Sequence, residues 1–154
     1  MKKVLVLLCG LLLVSVVHGA GSQMNFGLNF GIMTADDFKF DPIMWTVGAE
    51  LDFQLGNFLM LSPEVTLVGY KFEFKQFVLY PGIILNFTPG NFFIGGGVVK
   101  GFLIGEGTSG SSDVALKLNA GLISRNTKLT VYLISDFNPI FKNMLVGASL
   151  GFRF

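Results

Sequence analysis

Residues 45–55 read Trp-Thr-Val-Gly-Ala-Glu-Leu-Asp-Phe-Gln-Leu. The odd positions, Trp45, Val47, Ala49, Leu51, Phe53 and Leu55, are all apolar. The even positions, Thr46, Gly48, Glu50, Asp52 and Gln54, are polar or glycine. Successive side chains of an extended strand point to opposite faces, so this stretch makes a strand with one greasy and one polar face.

The pattern recurs outward from there. In 23–32, Met24, Phe26, Leu28, Phe30 and Ile32 alternate with Gln23, Asn25, Gly27, Asn29 and Gly31. At the other end of the chain, Met144, Val146, Ala148, Leu150, Phe152 and Phe154 alternate with Leu145, Gly147, Ser149, Gly151 and Arg153. Weaker alternation marks 59–70, 77–87, 114–122 and 129–137, and 92–104 is the least regular because Lys100 falls on its apolar face. That makes eight strands, an even number, of about the 9–11 residues that a tilted strand needs to cross a bilayer. Pro63 and Pro81 remove ladder donors, and local bulges are expected at both.

A spanning helix is the other structure that satisfies every backbone group in lipid. The longest uncharged stretch, 76–99, contains Pro81-Gly82, Pro89-Gly90-Asn91 and Gly95-Gly96-Gly97, which break a helix and mark turns. Composition agrees with a membrane barrel. Of 154 residues, 51% are hydrophobic and only 14% charged, against about 25% charged in soluble domains. The net charge of +1 offers no patch for nucleic acid, so that partner class is excluded.

Residues 1–20 read as a secretory signal peptide: Lys2 and Lys3, an apolar run from Val4 to Val17, then Gly19 and Ala20. Residues 21–154 form the barrel domain. Cleavage would remove Cys9, His18, Lys2 and Lys3, leaving nine basic and ten acidic residues and a net charge of −1. With no mature histidine, a Ser–His pair cannot form at Ser62, Ser135 or Ser149, and no enzyme activity is expected. No cofactor is implied. The acidic loop with Asp36, Asp37 and Asp41 reads as a solvated loop, not a metal site.

Short connections at Gly56-Asn57, 88–91 and 124–127 alternate with connections at 34–44, 71–75, 105–112 and 138–142. In a barrel entered from the periplasm, the three short turns lie inside and the four loops outside. Phe38, Phe40, Trp45, Phe72, Phe74, Phe137 and Phe141 then gather at the loop ends. Phe53, Phe58, Phe87, Phe92, Phe93, Phe152 and Phe154 gather at the turn ends, giving a girdle at each interface.

The cleavable signal, the eight alternating segments and the C-terminal Ser149-Leu150-Gly151-Phe152-Arg153-Phe154 together resemble small bacterial outer-membrane barrels, of the OmpA transmembrane-domain and OmpX kind. The resemblance implies an eight-stranded antiparallel up-and-down transmembrane β-barrel in the bacterial outer membrane. It also implies recognition of Phe154 by the barrel assembly machinery, contact with outer-membrane lipids, and a monomer. A soluble lipocalin-like ligand carrier is the competing fold. It would have to bury Met24, Phe26, Leu28 and Phe30 in a narrow lumen and cover its exterior with glycines, and no Gly-x-Trp motif opens the mature chain.

An eight-stranded lumen is just wide enough for side chains to fill, so the inward set is expected to be a polar core. Glu50, Asp52 and Glu64 need cations there, or one of them must hold a proton; Lys117 could reach them from across the barrel, and Arg153 would serve the turn end. These five form a lumen charge cluster whose plain reading is a salt-bridged plug and whose alternative is a selectivity or proton pathway. Inward Tyr70, Tyr80 and Tyr132 add to the blockage. Trp45, Lys100, Phe152 and Phe154 are the lipid-interface residues. Lys100 either snorkels toward lipid phosphates or is turned into the lumen by a bulge at Gly95–Gly97. The function expected is an integral outer-membrane protein with a structural or surface-interaction role and a filled lumen. The alternative is a porin-like narrow channel for ions or small apolar solutes.

Overall fold

The computed structural model describes residues 24–35, 43–70, 76–105, 108–137 and 144–154. The expected signal segment, with Cys9 and His18, lies outside these residues. So do the aspartates Asp36, Asp37 and Asp41 and the aromatics Phe38, Phe40, Phe72, Phe74 and Phe141.

Eight strands follow one another: β1 Met24–Ala35, β2 Met44–Leu55, β3 Leu59–Tyr70, β4 Gln76–Phe87, β5 Phe92–Gly105, β6 Thr108–Ile123, β7 Thr127–Asp136 and β8 Met144–Arg153. Each pairs antiparallel with its neighbours in sequence, and β1 pairs with β8, so the sheet closes and has no edge. Backbone bonds between Phe26 and Phe154, at 3.2 and 2.8 Å, finish the seam at the turn end.

Following paired positions once around the barrel links Met24, Phe53, Leu61, Leu85, Gly96, Leu118, Leu133, Val146 and Thr34. The path returns to β1 ten residues beyond its start. Ten residues of ~3.3 Å rise spread over eight strands ~4.8 Å apart tilt the strands by about 40° to the barrel axis.

The apolar face is the exterior. Met24, Phe26, Leu28, Phe30 and Ile32 are 37–60% exposed, whereas Glu50 and Asp52 are 6% and 1% exposed. A lipocalin-like carrier would show the reverse. Gly56 and Gly90, in the β2–β3 and β4–β5 turns, have φ of 73° and 70°, a backbone region that favours glycine. The β6–β7 turn is closed by Ser124 N–H on the Thr127 carbonyl (2.8 Å).

Three expectations are corrected. The register runs straight past Pro63 and Pro81, with no bulge at either. An antiparallel residue directs its N–H and C=O to the same neighbour. Each proline therefore interrupts one ladder only: Pro63 still pairs with Ile83, and Pro81 with Val65. The register shift lies instead between Lys100 and Phe102, where β6 accommodates an extra residue near Ser112; Ser112 Oγ accepts the Gly101 N–H at 2.9 Å. Finally, 108–112 is strand, not loop, and 108–111 pair with Phe102–Gly105. Its Thr, Ser and Gly residues carry no apolar alternation, so the pattern fades while the ladder continues.

Among the aromatics, Phe93 departs from the girdle. It is one residue out of phase with Phe92 and turns inward, fully buried. Trp45 lies on the outer wall across Gly69, its register partner, and meets Phe77 edge-on at 6.0 Å between ring centroids. A Cβ on Gly69 would overlap the Trp45 indole. Gly69→Val should therefore cost about 1–3 kcal/mol, the usual scale of overpacking. Urea unfolding in lipid vesicles would read the loss, and the emission of Trp45, the sole tryptophan, should change as its ring is displaced.

Candidate functional site: the ion-paired lumen

Inward positions along β2 and β3 place Glu50, Asp52, Ser62 and Glu64 in the lumen, with Glu50 and Glu64 directly opposite each other in register. Two like charges side by side in a confined space require separate cations. They have them. Lys117 Nζ, from β6, donates to Glu64 Oε1, and Lys128 Nζ, from β7, donates to Glu50 Oε2 at 2.9 Å. Lys128 also reaches Asp52 Oδ1 at 3.1 Å, and Arg153 Nε, from β8, holds Asp52 Oδ2 at 3.1 Å. Three carboxylates thus face three cations.

Further hydrogen bonds extend the network around Asp52, while Asn86 Oδ1 and Asn119 Oδ1 are buried with no partner among the described residues. Ser62 Oγ donates to Asp52 Oδ1 (2.7 Å) and accepts from Asn86 Nδ2 (3.1 Å). Arg153 Nη1 donates to the Ser124 carbonyl at 2.9 Å, tying the network to the β6–β7 turn. Both lysines also rest on rings, Lys117 over Tyr132 at 4.6 Å and Lys128 over Phe93 at 5.2 Å. Ser62 is therefore a support for Asp52, with no histidine beside it among the described residues. Nor do those residues contain a group of His, Cys, Asp and Glu that could hold a metal ion.

Lys128 is the member that sequence reading passed over. It sits one residue before the first apolar position of β7, but parity with Thr130 and Tyr132 already places it on the lumen face. Lys117 reaches Glu64 only, and Lys128 holds Glu50.

The expectation of a wholly polar core also needs correction. Toward the loop end, Met33, Val68, Val99, Ala115 and Ile134 fill the lumen together with the Tyr132 ring, Val78, Tyr80 and Leu145 pack against them, and Ile84, beside Ser62 in register, carries the cluster down to the ion pairs. These apolar residues share parity with polar or glycine neighbours on the same strands, and short strand windows hide them. The lumen is layered, with ion pairs toward the turns and hydrocarbon toward the loops. Tyr80 and Tyr132 contribute to the packing, while Tyr70 is 43% exposed at the loop end of β3.

Two spaces remain. Between the layers is a void of ≈ 20 Å³ touched by Thr46, Glu64, Lys117, Asn119 and Tyr132, room for about one water. At the turn end a vestibule of ≈ 360 Å³, bordered by Asn25, Gln54, Asn57, Thr88, Asn91 and Arg153, stops at the Asp52–Arg153 pair.

The interface residues lie on the outer wall. Phe152 and Phe154 are 46% and 74% exposed near the turns. Lys100 is outward too, between Val98 and Phe102, and its Nζ stands 5.6 Å from the Phe102 ring centroid. Gly95–Gly97 keep regular pairing on both sides, so no bulge there turns Lys100 inward.

Removing one partner of a buried ion pair strands the other, typically at about 3–5 kcal/mol. Lys117→Met should destabilise the barrel on that scale. Lys117→Met combined with Glu64→Leu should recover most of the loss, because no charge is then left unpaired. Urea midpoints in vesicles would measure both.

No protein-family profile matches the sequence, and no curated protein does either. Solved structures do match. Neisserial surface protein A is 12% identical with a TM-score of 0.55, covering 86% of this chain and 97% of that one. The N-terminal β-barrel domain of Pseudomonas aeruginosa OprF is 14% identical with a TM-score of 0.53, covering 86% and 99%. The outer-membrane enzyme PagL is 15% identical with a TM-score of 0.52, covering 83% and 98%. The chain thus has the fold of the small eight-stranded outer-membrane barrels.

Proposed function

We propose that the protein is an integral barrel of the bacterial outer membrane whose lumen is sealed, and that its role is structural or surface-interactive. The observation that carries this reading is the layered filling of the lumen. An ion or solute entering from the turns meets the Asp52–Arg153 and Lys128–Glu50 pairs. Beyond them it meets the packed apolar layer around Met33, Val68 and Val99. A hydrated ion would have to break buried salt bridges and then shed its water in hydrocarbon, and each step is costly.

The proposal assigns no catalysis. PagL shows that this fold can host an enzyme, but the Ser62 hydroxyl is here committed to Asp52 and Asn86, and the buried charges are committed to one another. The outer wall is suited to lipid, since it is lined with aromatic and aliphatic side chains over all eight strands. We assign Phe154 to recognition by the barrel assembly machinery. Its side chain is exposed on the wall, and its backbone closes the seam to Phe26. The sheet bonds are satisfied within one chain, which suits a monomer.

Planar-bilayer recording tests the sealed lumen. The inserted protein should show no steady, reproducible conductance. A constant single-channel step would overturn the sealed reading in favour of a narrow channel.

A further inference from the structure

Among the described residues, Lys100 is the one charged side chain set within the apolar outer wall. Among those residues no carboxylate stands within ion-pair distance of it, and its Nζ lies 5.6 Å from the Phe102 ring centroid. An ammonium facing hydrocarbon is unfavourable, and the more so the deeper it lies. From the register and the tilt, Lys100 stands roughly 23 Å above Met24 along the barrel axis, at about the height of Trp45. That is the boundary of the ~25 Å apolar band on the side away from the short turns.

Directly beside it the wall is dented. A depression of ≈ 290 Å³ is bordered by Pro81 and Ile83 on β4, Val98 and Lys100 on β5 and Val114 on β6. The local sequence makes it. Pro81 has no N–H, and the β4–β5 pairing steps from Leu79–Phe102 to Gly82–Val99 without a bridge at the two positions between. On the wall beside it, Val98 and Val114 are short side chains. The dent is almost wholly apolar except for Lys100 at its rim.

We propose that this wall binds one lipopolysaccharide molecule. A lipid A phosphate sits on the Lys100 ammonium, and an acyl chain descends into the dent along Ile83 and Val98. The ligand must be anionic at Lys100 and a long hydrocarbon below it. The height assigns it to the leaflet opposite the short turns, the outer leaflet in a barrel whose short turns are periplasmic. The site rests on the membrane-spanning reading proposed above.

The test uses the full mature barrel in phosphatidylcholine nanodiscs doped with rough lipopolysaccharide, and native mass spectrometry counts the lipid retained. The wild-type protein should keep one lipopolysaccharide. Lys100→Gln and Val98→Trp, which fills the dent, should each weaken retention about ten-fold, the scale of one charge-assisted contact. Lys100→Arg should preserve retention, and dephosphorylated lipid A should not distinguish wild type from Lys100→Gln. Equal retention by wild type and Lys100→Gln would overturn the site. So would phosphatidylglycerol held as firmly as lipopolysaccharide. A heat-dependent shift in gel mobility, read on every sample, reports insertion separately. A wild-type chain that never inserts sinks the membrane reading, whereas one that inserts but ignores Lys100 sinks the lipid site alone.

Discussion

A barrel of eight strands leaves a lumen just wide enough for its inward side chains to fill, so the bulkiest of them need room beside them. The chain meets this constraint with glycine. Glu50 faces Gly27, Asn29 faces Gly48, and Asn86 faces Gly95, each pair in direct register. Val99 faces Gly82, Phe93 faces Gly121 and Tyr132 faces Gly147 in the same way. A Cβ at Gly27, Gly82 or Gly147 would overlap the opposing side chain. The glycines are the spaces into which the bulky residues fold, so they determine which carboxylate can lean toward which cation.

This arrangement makes the buried charges tolerable. Isolated carboxylates at the depth of Glu50 or Asp52 would be very costly. Held against Lys128 and Arg153, with Ser62 and Asn86 supplying further hydrogen bonds, they form a compact neutral group. The apolar layer above has no such demands and packs as an ordinary core, Met33 and Val99 being almost wholly enclosed. The two layers solve one filling problem with different chemistry.

The alternation of 23–32, 45–55 and 144–154 fixes the face of nearly every residue, because a period of two is a property of the strand itself. The wall, the lumen and the three short turns were legible for that reason. Register was not, because it depends on which residues of separate strands lie opposite. Without it, the division of Glu50 and Glu64 between two lysines could not be read. The straight course past Pro63 and Pro81 was hidden similarly, since it depends on which neighbour each proline faces. The apolar upper lumen was missed because Val68, Val99 and Ile134 each look like a local lapse in alternation and become a layer only when eight strands are assembled.

The network spans the sequence as well as the lumen. Asp52 and Arg153 are 101 residues apart, and Glu50 and Lys128 are 78 apart. Seven of the strand pairings join neighbours through hairpins, but β1 with β8 joins the two ends of the chain. Hairpins form locally and quickly, whereas distant pairings must first overcome loop-closure entropy. An open curved sheet can therefore hold every hairpin while Arg153 still lacks Asp52. Closure of the seam brings the charges together and removes their water in a single event, so the barrel has little to gain from being nearly shut. The buried ion pairs thus act as a latch on the last step of assembly.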